Sequence, residues 1–443
     1  MIHIDNLQQR LDLLLRTGCL LMESAADTSR TMRTMKRVAA YLGLPLDRLH
    51  IYIVYNMLMV NLADGERSYT RFQRVEKHGV NLDTLMQVSH LSCEAQRMQY
   101  PLHRYEQELN FIAHQKRNYS PWQVAVGGGL ACGGFCIQFG CDWTAFFYAA
   151  FAAIMGLRLR MYLNEKGSNA YVNIGIAAFV STLLAWACSV LSAYAAASSW
   201  LPAVLVSSTP WHPLLACALF IVPGVPLINF VSDMLSGYTQ VGMTRAVNTL
   251  MMLLAMAFGI AFAIQVCGID NFAKNLPMTP HHNYHEYMLA AAISAIGFST
   301  IFNTPRQLMW VVALGGIISV CTRNFVNLGP SNGNIGLDQG LVVGSFVGSA
   351  VVSIICCVLI RKIHTPHQLI SIPSVIPMIP GVLMYRALFA FINMHGVEGE
   401  VTVAMNNAIQ ASLTILFIAL GVAIPNVFFR RMITTASGSD TSS

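Results

Sequence analysis

Ten long apolar segments follow residue 119 and constrain this chain more than any other feature of its sequence. A bilayer core of about 30 Å is crossed by roughly 20 apolar residues in an α-helix, which satisfies its own backbone hydrogen bonds. The segments lie at about 121–140, 143–160, 171–195, 212–235, 243–267, 287–303, 306–323, 338–361, 370–393 and 401–428. The sequence therefore predicts a polytopic α-helical membrane protein with about ten transmembrane helices. A purely soluble chain and a disordered chain are both excluded.

Charged residues are concentrated before the first apolar segment. Residues 1–119 contain 15 of the 27 Lys and Arg residues and 12 of the 21 Asp and Glu residues. The first residues lack the apolar core of a signal peptide, so we expect this domain to stay in the cytoplasm. We predict a cytoplasmic α+β domain at 1–119, five-helix membrane repeats at 120–270 and 285–431, and a disordered cytoplasmic tail at 432–443.

The amino-terminal domain combines helical and strand patterns. Leucines recur at helical spacing up to about Met22, and a second helical segment covers Asp27–Leu42. Leu49–Ala63 is rich in β-forming residues and precedes Asp64-Gly65, which indicates strands and a turn, with Ser68–Val75 as the returning strand. Two further helices are predicted at Leu82–Leu91 and Pro101–Gln115.

The positions of the loop cations predict the orientation of the chain. With a cytoplasmic amino-terminal domain and ten spans, the outer loops carry only Lys274 and Arg323. The inner loops and the tail carry Arg158, Arg160, Lys166, Arg245, Arg306, Arg361, Lys362, Arg430 and Arg431. Because the positive-inside rule expects this asymmetry, we predict a multi-pass plasma-membrane protein with the amino-terminal domain and the carboxyl terminus in the cytoplasm.

The membrane part contains an internal duplication. Three pairs of segments align in the same order with offsets of 163, 157 and 162 residues: Phe139–Arg160 with Phe302–Arg323, Val222–Val225 with Ile379–Val382, and Phe258–Ala261 with Leu420–Ala423. The repeat is five spans long. Because five is odd, the second copy must enter the membrane in the opposite direction, which is the inverted repeat of many secondary transporters.

Proline and glycine interrupt the fourth span of each repeat. The interruptions are Pro223, Gly224 and Pro226 in the first copy, and Pro377, Pro380 and Gly381 in the second. Proline removes a backbone donor and clashes with the preceding turn, and the freed carbonyl groups need protein or water as partners. Paired breaks at matching repeat positions predict a transport site. The alternative is a pair of kinks that serve packing alone.

Polar residues follow both breaks. Asn229 and Asp233 share one helix face after the first break, and Tyr385 and Arg386 follow the second. A charge inside a span is costly and is usually functional, so we expect Arg386 to hold the substrate carboxylate or an internal acid. Asp233 is a candidate proton carrier. The alternatives are a structural Arg386–Asp233 pair, or an Asp233 side chain that reaches the inner interface.

Further polar residues occur in the last span of each repeat. Asn406, Asn407 and Gln410 align with Thr244, Arg245 and Asn248 at an offset of 162. These side chains either line the substrate pathway or form hydrogen bonds between helices.

No pattern indicates a catalytic, metal or cofactor site. Gly127-Gly128-Gly129 lies within a span and lacks the Lys-Ser/Thr of a phosphate loop. His281, His282 and His285 form a short cluster that is more typical of a solvated loop than of a metal site. Asp27 beside Thr28 and Ser29 is typical of a helix start. The expected partners are a small substrate (an amino acid or small carboxylate), protons and the bilayer, with no nucleic acid. Assembly as a homo-oligomer is compatible with the sequence.

Several motifs resemble those of one transporter family. They are Thr17–Leu21 with Glu23–Thr28, Thr70–Val75 with Gly79–Leu82, Gly140–Trp143, Val222–Leu227 and Ile376–Gly381. Nearly the whole chain resembles the threonine/serine exporter family, with two modules that are separate chains in some bacteria fused here. It departs from the family pattern at Ala25, where Gly is usual, and at Asp27, where Glu is usual.

The resemblance implies export of threonine and serine driven by the proton motive force, and split relatives imply succinate as an alternative substrate. The residues alone indicate a transporter for a small anion or zwitterion. A channel would need a continuous polar lining. A membrane-anchored hydrolase with a catalytic amino-terminal domain, or a receptor or scaffold, gives no reason for ten spans with matched helix breaks.

Overall fold

The computed structural model describes residues 4–64, 67–200, 202, 206–269, 283–330, 335–363, 367–392 and 398–438. The chain forms two compact units. The first consists of Met1–Asn118 with Val225–Val247 and Phe302–Pro305, and the second consists of Tyr119–Gly224, Asn248–Ile301 and Arg306–Ser443. The first unit therefore contains the predicted amino-terminal domain together with two segments of the membrane part.

The amino-terminal domain is an α+β domain, as the sequence predicts. Its elements are α1 (Ile4–Glu23), α2 (Thr28–Tyr41), β1 (Leu49–Val54), β2 (Met57–Asp64), β3 (Arg67–Arg74), α3 (Leu82–Met98) and α4 (Leu102–His114). The strands form an antiparallel sheet in the order β1-β2-β3. The segment Leu49–Ala63, predicted as strand residues before a single turn, contains two strands, because the chain already turns at Tyr55-Asn56.

The sheet buries one face against the helices. Leu58, Val60 and Leu62 alternate along β2 and are almost fully buried, as expected when successive strand residues point to opposite faces. Leu11 and Leu14 of α1 are fully buried in the same domain. The leucine spacing of the sequence therefore marks the core-facing side of α1.

Helices occupy all ten positions predicted as spans. They are α5 (Pro121–Gln138), α6 (Trp143–Glu165), α7 (Ala170–Ala197), α8 (Pro213–Ala216) with α9 (Gly224–Leu235), α10 (Thr239–Val266), α11 (Tyr284–Ile301), α12 (Met309–Asn327), α13 (Leu341–Ile363), α14 (His367–Val375) with α15 (Gly381–Ile392), and α16 (Glu398–Gly438). The start of α5 is fixed locally, because Ser120 and Gln123 form a capping box and Pro121 follows the cap.

Six helices in the described ranges are long and apolar enough to cross a membrane, and the count becomes eight if each bent helix pair is one span. The two predicted spans outside this count are α5 and α11, both of 18 residues. They pack on each other so closely that a Cβ at Gly127 would lie 1.9 Å from Thr300 Oγ1. Interfaces between membrane helices are enriched in small residues, because these let the backbones approach closely. This explains the glycine-rich composition of α5.

The two membrane halves repeat the same local geometry. α5 ends at Gln138 and α11 at Ile301, which is the 163-residue offset of the sequence alignment. Two residues later, Gly140 and Asn303 both have left-handed backbones, with φ of 89° and 53°.

Some predicted features fall at or beyond the described ranges. α16 extends to Gly438, so residues 432–438 of the predicted tail are helical. Lys274, His281 and His282 lie outside the described residues.

Candidate functional site

Both predicted breaks interrupt helices in the same way. A 3-10 turn at Leu219–Ile221 ends before Pro223, and α9 begins at Gly224 after a bend of 57°. A second 3-10 turn at Ile376–Met378 ends before Pro380, and α15 begins at Gly381 after a bend of 54°. Proline cannot donate the hydrogen bond that a continuous helix would need there. Pro223, Pro377 and Pro380 are buried, and Pro226 is partly exposed in the first turn of α9.

The two breaks contact each other. A Cβ added to Gly224 would lie 2.4 Å from Ile376 Cδ1 and 2.6 Å from Ile379 Cδ1. A Cβ added to Gly381 would lie 2.7 Å from Leu219 Cδ2. Each glycine thus receives side chains of the opposite break, and a larger residue would require these side-chain ends to move.

A cavity of about 260 Å³ lies beside the second break. It is lined by Gln138, Phe139, Tyr287, Arg323, Asn324, Asn327, Leu328, Leu341, Met378, Ile379, Pro380, Val382, Leu383, Arg386 and Gln410. The predicted site residues Pro380, Arg386 and Gln410 are therefore brought together at one cavity. Its volume suits a ligand of a few heavy atoms.

The polar lining of this cavity is positively charged. Arg323 and Arg386 contribute guanidinium groups, and no described lining residue is Asp or Glu. Asn324 Oδ1 accepts hydrogen bonds from Arg323 Nε and Nη2 at 3.1 and 3.0 Å, which orients that guanidinium. Guanidinium groups at a cavity can form paired hydrogen bonds with a carboxylate.

The other predicted residues of the second repeat lie outside this lining. Tyr385 is buried beside Arg386, Asn407 is partly exposed and Asn406 is exposed. Among the described residues, the structure groups neither asparagine of α16 with Arg386 at the cavity.

The predicted residues of the first repeat meet the amino-terminal domain at the α1–α2 junction, which we define as Ala25–Thr28. Asn229 Nδ2 donates to Ala25 O at 2.8 Å, and Thr28 N donates to Asp233 Oδ1 at 2.8 Å. Arg245 Nη2 donates to Ala26 O at 3.0 Å. All three side chains from the membrane part are buried, with exposures of 1% for Asn229, 0% for Asp233 and 7% for Arg245.

Asp233 forms an ion pair with Arg245. Asp233 Oδ2 lies 3.0 Å from Arg245 Nε. The sequence analysis considered a structural pair between Asp233 and Arg386. The observed ion pair instead joins Asp233 to Arg245, which lies twelve positions later on α10. Arg245 also lies 6.0 Å from the Tyr55 ring centroid, and Tyr55 stacks on His78 with centroids 4.0 Å apart.

The local sequence explains the shape of the junction. Asp27 is the N-cap of α2, and its carboxylate accepts from Arg30 N at 2.5 Å. Ala25 has a left-handed backbone with φ of 63°, which turns its carbonyl toward Asn229. The carboxylate of Asp233 lies at the N-terminus of α2, where free N–H groups and the helix dipole favour an anion.

The amino-terminal domain also binds the segment Phe302–Pro305. Leu82 N donates to Phe302 O at 2.9 Å, and Asp83 N donates to Asn303 O at 3.2 Å. The Asn303 side chain donates to Asn81 Oδ1 and accepts from Asn118 N, both at 2.8 Å. The free N–H groups at the start of α3 are thereby satisfied by a loop of the membrane part.

Sequence reasoning missed three features of these sites. The sequence predicts Arg323 in an outer loop, whereas the structure places it within α12, at the cavity. Its alignment with Arg160 at the end of the aligned segments was the available signal for this position. The ion pair of Arg245 and the role of the Ala25–Thr28 backbone could not be predicted from their motifs. The residues that contact this backbone lie about 200 positions away in the sequence. No metal-like group of three or more His, Cys, Asp or Glu side chains occurs in the described ranges.

Two family models cover the chain. The model for the threonine/serine exporter ThrE matches residues 12–267, and a second, described as "Threonine/Serine exporter, ThrE", matches residues 287–428. No solved structure matches.

Relatives with assigned names share this similarity. The chain is 24% identical over 257 residues to "Probable succinate transporter subunit YjjP" of Escherichia coli, covering 58% of this chain and 94% of that protein. It is 20% identical over 429 residues to "Threonine/serine exporter" of Corynebacterium glutamicum, covering 95% and 83%. It is 19% identical over 432 residues to "Probable threonine/serine exporter" of Mycobacterium tuberculosis, covering 95% and 77%. Both family modules are present in one polypeptide, and the chain belongs to the threonine/serine exporter family of membrane transporters.

Proposed function

We propose that the chain is a secondary active transporter that exports threonine and serine across the plasma membrane with the proton gradient as its driving force. The observation that carries this proposal is the mutual contact of two broken helices beside a cavity with two guanidinium groups. Broken helices that meet near a polar cavity are how many secondary transporters build a substrate site.

The proposed architecture is ten transmembrane helices in two inverted five-helix repeats. The repeated helix ends and breaks support it, and so do the contacts of the amino-terminal domain. In a ten-span path that starts from a cytoplasmic domain, the α9–α10 turn and the α11–α12 turn both return to the cytoplasmic side. The amino-terminal domain forms hydrogen bonds with residues at or near both of these turns.

In this proposal, Arg386 and Gln410 hold the substrate carboxylate. The breaks at Pro223–Pro226 and Pro377–Gly381 supply the flexible points between helix halves. Asn406 and Asn407 lie on the pathway in another state of the transporter, and Asp233 is the proton-coupling residue, with Asn229 on the same helix face. The amino-terminal domain and the carboxyl terminus are cytoplasmic.

A small dicarboxylate is the second candidate substrate. Arg323 and Arg386 line one cavity whose described lining contains no acid, and two guanidinium groups match two carboxylates. An amino acid would also need acceptors for its ammonium group, which the amide oxygens of Gln138, Asn327 and Gln410 can supply.

Efflux from proteoliposomes tests the proposal. Vesicles are loaded with labelled threonine, serine or succinate, and flux is followed with and without an imposed proton gradient. We expect gradient-stimulated efflux, and we expect Arg386→Gln to abolish it while Lys166→Gln, at an exposed site, does not. Flux that ignores the gradient would indicate a channel, and absence of all three fluxes would overturn the proposed function.

A further inference from the structure

Asp233 occupies a position in which its charge holds two elements together. One carboxylate oxygen accepts the Thr28 N–H at the start of α2, and the other pairs with Arg245 on α10. Arg245 in turn donates to Ala26 O. The carboxylate therefore links α9, the first two turns of α10 and the α1–α2 junction, and the residues that make these contacts all belong to the first compact unit.

Protonation would remove this linkage. A neutral carboxyl group loses the ion pair with Arg245, and one of its oxygens becomes a donor instead of an acceptor. It also loses the favourable interaction with the N-terminus of α2. The other titratable groups near the carboxylate are Asp27 and Tyr238, and those beside Arg245 are Tyr55 and His78.

Asp233 lies on the helix that begins at the first break. α9 begins at the first break and ends at Leu235, so the helical segment from Gly224 to Asp233 is about 14 Å long at 1.5 Å per residue. The chain passes from one compact unit to the other between Gly224 and Val225. Asn229 and Asp233 therefore lie within about three helical turns of the break.

We propose that Asn229, Asp233 and Arg245 form a charge-dependent latch that holds the amino-terminal domain on α9 and α10, and that uptake of a proton by Asp233 opens it. This rests on the proposed function, because it gives proton binding a structural consequence in the transport cycle. Asp233 is a positioning residue in this scheme: it controls the contact of the Ala25–Thr28 backbone and does not touch the substrate. The proton comes from water and adds to the carboxylate without any co-reactant.

Hydrogen–deuterium exchange of the full chain in lipid nanodiscs tests the latch without reference to transport. Asp233→Asn mimics the protonated residue. Thr28→Pro removes the N–H that reaches Asp233, together with the Thr28 hydroxyl beside it. Proline is accepted at the first helical position, and Asp27 is already extended, with φ −67° and ψ 156°. At pH 7.5 we expect both variants to exchange the first turns of α2 roughly tenfold faster than the wild type.

The pH dependence provides the decisive comparison. Wild type and Asp233→Asn are measured side by side at each pH, so intrinsic exchange rates cancel, and we expect their rates to converge by pH 5. Asp142→Asn, which alters the N-cap carboxylate of α6, is the matched control and should leave α2 unchanged. Unchanged exchange of α2 in both latch variants, or a ratio that stays constant from pH 7.5 to 5, would overturn the latch.

A transport assay separates failure of the latch from failure of the proposed function. We expect Asp233→Asn to flatten the pH profile of efflux and to change the maximal rate more than the half-saturating concentration. Wild-type flux with an unaltered profile in Asp233→Asn would refute the coupling and leave the exporter intact. If the wild type carries no flux, the exporter proposal fails, and the exchange data still decide the latch.

Discussion

At the scale of single residues, the two groups of charged side chains have different surroundings. Arg386 and Arg323 face a cavity whose described lining has no acid, whereas Asp233 and Arg245 form an ion pair and each hydrogen-bonds to the backbone of the amino-terminal domain. A buried ion pair with extra hydrogen bonds specifies a contact more than it adds stability. The two arginines at the cavity are instead the groups that we propose bind a carboxylate.

Arg323 should determine the preference between one and two carboxylates. We expect Arg323→Gln to weaken succinate transport by roughly 10- to 150-fold in apparent affinity, the range for a lost hydrogen bond to a charged group. Threonine and serine, which have one carboxylate, should be affected much less. Competition of unlabelled substrates against labelled efflux measures both effects. An equal loss for all three substrates would show that Arg323 does not discriminate.

His78 should make stability fall as the pH decreases. The His78 side chain is partly exposed to solvent, and its partial desolvation together with the nearby Arg245 guanidinium lowers the pKa of His78 to about 4 from its usual 6.5. The folded state then binds fewer protons than the unfolded state between pH 6.5 and 4, so stability is lost as the pH falls through this window.

Thermal unfolding at pH 7 and pH 5 measures this effect. His78→Phe keeps a ring to stack on Tyr55 but cannot be protonated, so we expect a smaller loss of Tm between the two pH values than in the wild type. His103→Phe on α4, an exposed position, is the control and should retain the wild-type difference. An undiminished pH effect in His78→Phe would contradict the prediction.

At the scale of elements, α5 and α11 are held together by close approach of their backbones rather than by large apolar side chains. α5 and α11 meet through glycines, and a Cβ at Gly297 would lie 2.4 Å from Gly127 O. The α5–α11 pair therefore depends on small residues rather than on bulky side chains, as is typical of membrane helix interfaces.

Gly127→Ala should force α5 and α11 apart. The added Cβ would lie 2.9 Å from Thr300 Cβ, so rotation of the Thr300 hydroxyl alone does not remove the clash. We expect a loss of about 1–3 kcal/mol, the usual cost of overpacking, read as a lower Tm in detergent. Gly175→Ala is the matched control, because its Cβ meets Ala255 O at an ordinary 3.4 Å. Equal stability of the two variants would argue against tight α5–α11 packing.

The sequence predicts elements better than sites for a physical reason. Hydropathy and proline reflect local chemistry, so the helix positions and the breaks at Pro223 and Pro380 are visible in one sequence. The turn at Tyr55-Asn56 was missed because its one turn-forming residue, Asn56, stands without Gly, Pro or Asp in an otherwise β-forming segment. The partners of Arg323 and Arg245 could not be predicted, because their environment is set by residues distant in the sequence.

At the scale of the whole molecule, the proposed topology makes the amino-terminal domain a cytoplasmic partner of two membrane turns. The first compact unit takes Val225–Val247 from one family module and Phe302–Pro305 from the other. A fused chain keeps both modules at equal concentration and in reach of this domain. Fusion in a single polypeptide therefore suits a transporter in which one domain contacts both modules.

Labelling of introduced cysteines decides the topology on which this picture depends. Ser168→Cys after α6 and Gln307→Cys before α12 occupy exposed positions in turns that the ten-span path puts in the cytoplasm, whereas Ser199→Cys after α7 should be external. In a background where Cys93, the exposed native cysteine, is replaced by Ser, a membrane-impermeant maleimide should label the first two in inverted vesicles only. It should label Ser199→Cys in right-side-out cells only.

Because the two halves are proposed to be inverted, labelling of Ser168→Cys and Gln307→Cys from opposite sides would rule out the repeat. The shared cytoplasmic role of the amino-terminal domain would then have to be abandoned as well.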